Sequence, residues 1–196
     1  MTIPERKEPK DGREFWPTAP STTKGFLDKY TKDFGSIGGS VWEPACGEGD
    51  MSRVLEPYAD RLFSTDLWDH GYGESGVDFT MRFDPRYQEI TKSGVDWVIT
   101  NPPFNLWTEF VLTALEVARQ GVALYAPTLY CEGVDRYERI YAGRRPHLIL
   151  QHVRRQPWLK GQLEDEETKS AKQVAFMWLV WYPRQKAKFT VFDWIP

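Results

Sequence analysis

A polar residue, two prolines and an aromatic ring follow an apolar segment at Asn101-Pro102-Pro103-Phe104. Proline fixes φ and lacks a backbone donor, so the tetrapeptide presents its carbonyl oxygens as rigid acceptors. The Asn101 side-chain oxygen and the Pro102 carbonyl could bind both hydrogens of an amino group conjugated to a ring, which develops lone-pair character on its nitrogen. Phe104 could stack on that ring. The tetrapeptide predicts a catalytic loop for a planar amino group; the alternative is that the prolines end a buried strand and Phe104 belongs to the core.

A second candidate site is the segment from Glu43 to Asp50, which reads Glu-Pro-Ala-Cys-Gly-Glu-Gly-Asp. Its glycines, Gly47 and Gly49, let the backbone turn tightly and approach a ligand closely. A dinucleotide-binding loop would have a third glycine where Ser52 stands, and the Glu43 carboxylate would repel a pyrophosphate. That carboxylate instead complements the sulfonium and ammonium groups of S-adenosylmethionine. The alternative is an ordinary turn between a strand and a helix.

Two further acidic positions could complete a nucleoside site. Asp66 ends the apolar segment Arg61–Asp66, roughly 20 residues after the glycines, where an acid can accept both ribose hydroxyls. This placement suits a dinucleotide as well as S-adenosylmethionine. Asp78 or Asp69 could accept from an adenine amino group while the Phe79 ring covers the adenine face. Asp78 could equally be a plain turn residue.

The elements that must position these residues alternate along the chain. Apolar spacing predicts helices at Thr22–Phe34, Asp50–Tyr58, Trp107–Arg119 and Arg136–Tyr141. Strands are predicted at Ser40–Glu43, Arg61–Asp66, Gly76–Phe79, Val95–Thr100, Gly121–Tyr125, His147–Val153 and Val174–Tyr182, the last with a partner at Phe189–Trp194. This order predicts an α/β fold with a mainly parallel sheet and an antiparallel hairpin near the C-terminus. In such sheets ligands bind at the carboxyl ends of the strands.

The composition predicts one folded domain that is preceded by a flexible N-terminal tail. The chain has 196 residues, of which 41% are hydrophobic and 15% aromatic, more than a disordered chain would carry. We expect a flexible tail over residues 1–13 and a single domain over residues 14–196. No apolar run approaches the roughly 20 residues that cross a bilayer, and the tail is polar, unlike a signal peptide. Cys46 and Cys131 lack nearby His or Cys partners, so we expect neither a disulfide nor a metal site and place the protein in the cytoplasm.

Basic residues cluster locally although the net charge is −3. Such a net charge gives no global attraction to nucleic acid, so phosphate binding requires a local patch. The cluster comprises Arg139, Arg144, Arg145, Arg154, Arg155 and Lys160. Arg154, Arg155 and Lys160 are the members that we expect to contact phosphate. The alternative is a solvated surface with mixed charges.

The ordered set of motifs resembles the class I S-adenosylmethionine-dependent methyltransferases, in particular those that modify adenine N6 in DNA. The resemblance extends from Phe15 to Tyr182, and its C-terminal part resembles the small phage type. It implies a Rossmann-like fold with a mostly parallel seven-stranded sheet, and a bacterial or phage-infected cell as the setting. The cofactor-contacting residues that it implies are Trp16, Thr18, Glu43, Ala45, Cys46, Gly47, Gly49, Asp66, Leu67, Asp78, Phe79 and Asn101. The implied catalytic residues are Asn101, Pro102, Pro103 and Phe104.

The acceptor stays open between several planar amino groups. DNA adenine is the first expectation, and RNA bases or a protein glutamine are alternatives because related tetrapeptides serve each. A catalytically silent binding subunit would have a broken loop, whereas Asn101 to Phe104 is intact. The chain lacks an insertion large enough for a separate target-recognition domain, and Ser52 replaces the third glycine. Because of these two differences from the family, the amino-acid sequence does not predict that the protein recognises a specific DNA sequence.

Overall fold

A computed structural model describes residues 16–154 and 174–196, in which strands and helices alternate. The strands are β1 (Ser40–Glu43), β2 (Arg61–Asp66), β3 (Glu74–Ser75), β4 (Val95–Thr100), β5 (Ala118–Pro127), β6 (Leu148–His152), β7 (Phe176–Trp181) and β8 (Val191–Ile195). The α-helices are α1 (Pro20–Asp33), α2 (Asp50–Leu55), α3 (Pro85–Ser93), α4 (Trp107–Val117) and α5 (Val134–Arg136). Short 3-10 turns lie at Glu56–Tyr58, Phe104–Leu106 and Thr128–Cys131, and a π-helical turn lies at Tyr137–Tyr141.

The described strands form one sheet in the order β3-β2-β1-β4-β5-β7-β6-β8. β7 runs antiparallel to its neighbours β5 and β6, and all other neighbouring strands are parallel. The carboxyl ends of β1, β2, β4, β5 and β6 therefore meet at one end of the sheet, which we call the carboxyl end. Their amino ends meet the carboxyl end of β7 at the opposite, amino end. The predicted α/β fold with a mostly parallel sheet and a C-terminal antiparallel pair is confirmed.

Alternation along the central strands places a core on each face of the sheet. Val41 and Trp97 belong to one cluster of buried side chains, whereas their chain neighbours Trp42 and Val98 belong to another. The first cluster includes apolar residues of α1 and α2, and the second includes those of α3 and α4. Because side chains alternate between faces in a strand, both faces are covered by helices and the central strands are buried. This rigid sheet positions the loops at its carboxyl end.

Several sequence-based details are corrected by the structure. The predicted strand Gly76–Phe79 is wrong: Gly76 has a φ of 80°, which interrupts an extended chain, and the strand lies at β3 instead. β3 brings the described sheet to eight strands rather than seven. The strand expected near Phe189–Trp194 forms as β8, but it pairs in parallel with β6 rather than with β7. The predicted helix Trp107–Arg119 ends at Val117, because Ala118 turns extended with a ψ of 136° and begins β5.

The helix α3 had no counterpart in the sequence-based prediction. Asp84 caps it by accepting from the backbone N–H groups of Arg86 and Tyr87 at 2.8 and 2.9 Å, and Pro85 begins its first turn. Tyr87 and Ile90 are its buried residues. Because α3 has so few apolar residues, its stability depends on packing against the sheet and not on an amphipathic sequence pattern.

Among the described residues, no helix combines the length and apolar character that a membrane crossing requires. The predicted tail over residues 1–13 lies outside the described residues, so its flexibility stays a prediction.

Candidate active site

A cleft of about 190 Å³ opens at the carboxyl end of the sheet, where β1, β2 and β4 end. It is lined by four groups of residues that are separated in the sequence and brought together by the parallel strands. They are residues 16–18, the turn after β1 with the start of α2, the segments after β2, and the loop after β4 with one residue of α4. Of the predicted site residues, the lining includes Trp16, Thr18, Glu43, Ala45, Cys46, Gly47, Asp66, Leu67, Asp78, Phe79, Asn101, Pro102 and Pro103.

Asn101 stands at the exit of β4 with its side-chain amide held in one orientation. Its Nδ2 donates to the Trp16 carbonyl at 3.1 Å and to Thr18 Oγ1 at 3.0 Å. A backbone carbonyl can only accept, so the NH₂ group must face Trp16 and the amide cannot be flipped. The opposite atom, Asn101 Oδ1, is buried and has no hydrogen-bond partner among the described residues. A buried acceptor without a partner costs about 1–3 kcal/mol, so this atom is suited to accept from a ligand.

The remainder of the tetrapeptide divides between the cleft and the protein interior. Pro102 and Pro103 line the cleft, and the Pro103 carbonyl accepts from the Leu106 N–H at 3.1 Å. Phe104 is half-buried and is not part of the described lining. Its ring centroid lies 5.8 Å from that of Trp16 and 6.0 Å from that of Tyr130. The stacking of Phe104 on a substrate ring therefore stays a prediction.

The turn after β1 depends on two glycines in left-handed conformations. Gly47 has a φ of 52° and Gly49 a φ of 84°, where residues with a Cβ are disfavoured. The Gly49 N–H donates to the Cys46 carbonyl at 2.8 Å, which closes the turn. A Cβ on Gly49 would also stand 2.4 Å from the ring of Tyr72, so Gly49 is packed rather than ligand-facing and does not line the cleft.

Glu43 ends β1 with only 2% of its surface exposed. Its carboxylate accepts a short hydrogen bond from the Ser52 hydroxyl, and Ser52 Oγ lies 2.7 Å from Ser64 Oγ. Burial first, and then the negative charges of Asp66 and Asp50, raise the pKa of Glu43 well above its ordinary value. A cation in the cleft would offset both effects. The replacement of the third glycine by Ser52 therefore supplies a hydroxyl to this buried acid.

Asp66 ends β2 with both carboxylate oxygens oriented by the backbone. Oδ2 accepts from the Gly47 N–H and Oδ1 from the Trp68 N–H, each at 2.9 Å. A carboxylate oxygen has capacity for a second hydrogen bond, so each can still accept from a ligand hydroxyl. The Gly47 contact joins the ends of β1 and β2. Asp66 thus fits the predicted role of a ribose acceptor and also fixes the glycine turn.

Asp78 and Phe79, which follow β3, also line the cleft. Asp78 Oδ1 accepts from the N–H and the hydroxyl of Thr80 at 2.8 and 2.7 Å, as a turn residue would. Asp78 also lines the cleft, so the turn reading and the ligand reading are compatible. Phe79 is buried, with its ring 4.8 Å from Trp42 in an edge-to-face arrangement. Asp69 is exposed and accepts from the Gly71 N–H, and it is not part of the described lining.

Cys46 lines the cleft from the same turn and is buried there. Burial, together with the charges of Glu43 and Asp66, raises the pKa of its thiol to about 12. Its Sγ lies 3.7 Å from the Tyr72 carbonyl, and the thiol can donate there. The thiol therefore stays protonated near neutral pH and is a poor nucleophile.

The charge of the lining has one sign. Its carboxylates are Glu43, Glu48, Asp50, Asp66 and Asp78, and the described lining contains neither Lys nor Arg. Such a cleft attracts a cationic ligand and repels a pyrophosphate. This distribution agrees with the sequence-based preference for a sulfonium compound over a dinucleotide.

Sequence reasoning missed several residues of the lining, among them Trp68, His70, Asn105, Leu106 and Phe110. His70 Nε2 lies 3.9 Å from Asp66 Oδ1. Trp68 and His70 could have been predicted from their position, because they follow the end of β2 just after Asp66. Of the predicted phosphate-binding residues, Arg154 follows β6 at the carboxyl end of the sheet, and Arg155 and Lys160 lie outside the described residues.

Solved structures with a similar fold include two that are named methyltransferases and one that is named a dimethyladenosine transferase. The methyltransferase subunit of a type I restriction-modification system from Streptococcus thermophilus is 13% identical, with a TM-score of 0.61 over 92% of this chain and 47% of that one. A protein of Pyrococcus horikoshii provisionally assigned as an RNA methyltransferase is 17% identical, with a TM-score of 0.62 over 90% of this chain and 91% of that one. A dimethyladenosine transferase from Plasmodium falciparum is 13% identical, with a TM-score of 0.53 over 87% of this chain and 63% of that one.

These similarities define the fold, which is that of the Rossmann-like methyltransferases. This chain spans 47% of the length of the Streptococcus subunit. No protein-family model matches the sequence, and a search of curated proteins gives no significant match.

Proposed function

We propose that the protein is an S-adenosylmethionine-dependent methyltransferase whose acceptor is an amino nitrogen on a planar group, with adenine N6 of DNA as the acceptor. The observation that carries the proposal is Asn101. Its amide nitrogen donates to Trp16 and Thr18, and its oxygen is buried at the exit of β4 without a hydrogen-bond partner in the described part of the chain. This geometry supplies a neutral acceptor beside an acidic cleft.

The residues of the cleft fit the proposed cofactor part by part. The buried Glu43 and the other carboxylates of the lining complement its positive charges. Asp66, already oriented by two backbone N–H groups, accepts from the ribose hydroxyls. Phe79 offers an apolar wall for the adenine ring, and Asp78 a carboxylate oxygen for its amino group. When bound, the cofactor supplies an electrophilic methyl group on its sulfonium.

Asn101 acts on the acceptor nitrogen through its free oxygen. The lone pair of an amino nitrogen on an aromatic ring is delocalised, so that nitrogen is a poor nucleophile. A hydrogen bond from its N–H to Asn101 Oδ1 favours a pyramidal nitrogen with a localised lone pair. Rigid positioning supplies the larger share of the acceleration. Pro102 and Pro103 contribute to positioning because their φ angles are fixed.

Adenine in DNA is favoured over other planar acceptors by the resemblance of the Asn-Pro-Pro-Phe loop. The similar folds include a methyltransferase subunit of a restriction-modification system, a protein provisionally assigned as an RNA methyltransferase and a dimethyladenosine transferase, so they support a nucleic-acid acceptor without separating DNA from RNA. A base in a duplex would have to leave its stack to reach Asn101. RNA and protein glutamine are the acceptors that the experiment must separate from DNA.

The test is incubation of the purified protein with methyl-labelled S-adenosylmethionine and separate pools of duplex DNA, RNA and protein. Digestion and mass spectrometry then identify the modified nucleoside. We expect label in N6-methyladenine from DNA. Label only in RNA would move the acceptor to RNA, and label only in protein would overturn the nucleobase proposal.

The Asn101→Ala variant tests the residue that carries the proposal. Removing the acceptor should lower kcat by about 10²–10³-fold, the usual cost of losing one such preorganised group. Cofactor affinity, measured by calorimetry, should stay within a few-fold. Gln120→Ala, which removes an exposed amide at the amino end of β5, is the matched control and should retain full activity. Turnover by Asn101→Ala at the control's rate would remove Asn101 from its role.

A further inference from the structure

The basic cluster that the sequence places between Arg139 and Lys160 is divided in the fold. Arg144 and Arg145 precede β6, whereas Arg154 follows it. β6 is parallel in direction to β1, β4 and β5, so its start lies at the amino end of the sheet, opposite the cleft. A strand of five residues spans roughly 17 Å. Arg154 therefore cannot form one continuous patch with Arg144 and Arg145.

The connection between β7 and β8 brings further cations to Arg144 and Arg145. Arg145 Nη1 donates to the Lys188 carbonyl at 3.2 Å, and Thr190 Oγ1 donates to the Pro146 carbonyl at 2.7 Å. Arg184 and Lys186 belong to the same connection. We call this surface the basic patch: Arg144, Arg145, Arg184, Lys186 and Lys188.

The charges of the basic patch are not neutralised within the described structure. All five side chains are exposed, and none of the described ion pairs includes one of them. Neither residues 142–148 nor residues 182–190 contain an acid. Asp193 of β8, the next acid along the chain, is paired with Lys29 at 2.6 Å. In a chain of net charge −3, this is a local concentration of positive charge.

A nucleic-acid substrate needs such a surface because the cleft cannot supply it. The described lining has five carboxylates and neither Lys nor Arg, so phosphates that flank a bound base are repelled there. Affinity for a polyanion must therefore come from cations outside the cleft. Phe189, 72% exposed beside Lys188, adds an aromatic face of the kind on which unpaired bases stack.

We propose that the basic patch binds the phosphate backbone of nucleic acid at the amino end of the sheet, remote from the cleft that holds the reacting base. This proposal rests on the proposed function, because it assumes that the methyl acceptor is a nucleic acid. Its binding step is independent of methyl transfer and can be measured without cofactor.

The test compares two variants that lose the same charge. Arg145→Gln with Lys188→Gln removes two members of the basic patch. Lys24→Gln with Arg82→Gln removes two exposed cations that are already paired, with Asp28 and Glu116. Affinity for fluorescent DNA and RNA oligonucleotides is followed by anisotropy from 50 to 300 mM salt, values chosen around the physiological range of about 150 mM.

For the patch variant we expect affinity to fall roughly tenfold and the slope of log K against log salt to fall by roughly 1.4–1.8, as for two lost phosphate contacts. The control should bind like wild type, and both should bind S-adenosylmethionine normally. Equal binding by the two variants would overturn the patch proposal alone. If the wild type binds neither oligonucleotide and modifies only protein, the nucleic-acid acceptor fails as well.

Discussion

The two ends of the sheet differ in charge and in the kind of residue that they expose. At the carboxyl end, five carboxylates line a cleft whose described wall has neither Lys nor Arg. At the amino end, the basic patch has five exposed cations without an ion pair among the described residues. Strands of five to six residues hold the two ends roughly 17–20 Å apart. Because the Debye length is about 8 Å at physiological ionic strength, the charges of the two ends are largely screened from each other.

This separation shows how one small sheet can accommodate two ligands of opposite charge. A parallel arrangement directs the strand ends that carry Glu43, Asp66 and Asn101 to the same side. The single antiparallel strand β7 returns the chain to the other side, where its connection to β8 meets Arg145. Under the two proposals, the sulfonium cofactor is attracted to one end and a polyanion to the other. Changes at the cleft should alter cofactor binding or turnover without altering the salt dependence of nucleic-acid binding.

The largest effect that we expect on cofactor affinity is that of Asp66→Asn. An amide presents one oxygen instead of two, so either the Gly47 N–H or the Trp68 N–H loses its acceptor, and so does any ribose hydroxyl bound on the same side. Hydrogen bonds to charged groups contribute about 1.5–3 kcal/mol, which predicts a Kd for S-adenosylmethionine that is roughly 10–100-fold weaker by calorimetry.

The matched control is Asp69→Asn, three residues along on the exposed side of the same segment. Its side chain accepts from the Gly71 N–H, which an asparagine can also do. Cofactor affinity should stay within about twofold of wild type, a change of less than 0.5 kcal/mol. If Asp69→Asn weakened the binding of S-adenosylmethionine more than Asp66→Asn does, Asp69 and not Asp66 would be the acid that contacts the ribose.

A second prediction concerns pH and Glu43. Burial and neighbouring acids raise the pKa of Glu43 in the free protein, and a bound cation lowers it again. Cofactor binding therefore releases a proton, and affinity should decrease as pH falls from the free-state pKa toward the bound-state pKa. The decrease is at most about tenfold per pH unit for one group. The calorimetry is done below pH 7, because the α-amino group of S-adenosylmethionine would itself titrate near pH 8.

Glu43→Gln should flatten this pH dependence and bind more weakly at neutral pH. The linkage to stability has the opposite sign: a raised folded-state pKa means that stability is lost as pH rises above the ordinary value of 4.5. Removing the charge should therefore raise the thermal stability of the cofactor-free protein at pH 7. An unchanged pH profile in the variant would exclude Glu43 as the titrating group.

Much of this arrangement was predictable because the strands are apolar runs with clear ends. The bounds predicted for β1, β2 and β4 agree with the structure residue for residue, and each ends at a site residue, namely Glu43, Asp66 or just before Asn101. Parallel strands then require these residues to converge. The short helix α3 was missed since it buries only Tyr87 and Ile90.

Contacts between distant segments were not predictable. The orientation of the Asn101 amide depends on Trp16 and Thr18, which no local pattern places beside it. The basic patch depends on the pairing of β6 with β7 and β8, so the sequence grouped Arg144 with Arg154 instead of with Lys188. The predicted partner of β7 was wrong for the same reason, since apolar character does not specify which strand lies next to which.

The smallest effect that we expect is that of Tyr130→Phe, which tests how the proposed catalytic loop is supported. The Tyr130 hydroxyl donates to the Phe104 carbonyl at 3.2 Å, and its ring meets those of Phe104 and Trp107 edge to face. Its own carbonyl accepts from the Tyr141 hydroxyl at 2.7 Å, which connects this segment after β5 to the π-helical turn. Tyr130 does not line the described cleft, so it is a positioning residue.

Losing one neutral hydrogen bond costs about 0.5–1.5 kcal/mol, which predicts a 2–10-fold lower kcat with little change in KM for nucleic acid. The variant keeps the ring, so its thermal stability should fall only slightly. Tyr137→Phe, on an exposed ring of the π-helical turn, is the control and should leave kcat unchanged. If Tyr130→Phe instead raised KM and reduced the salt dependence of binding, the loop after β5 would belong to the nucleic-acid surface, and the two ends of the sheet would not be functionally separate.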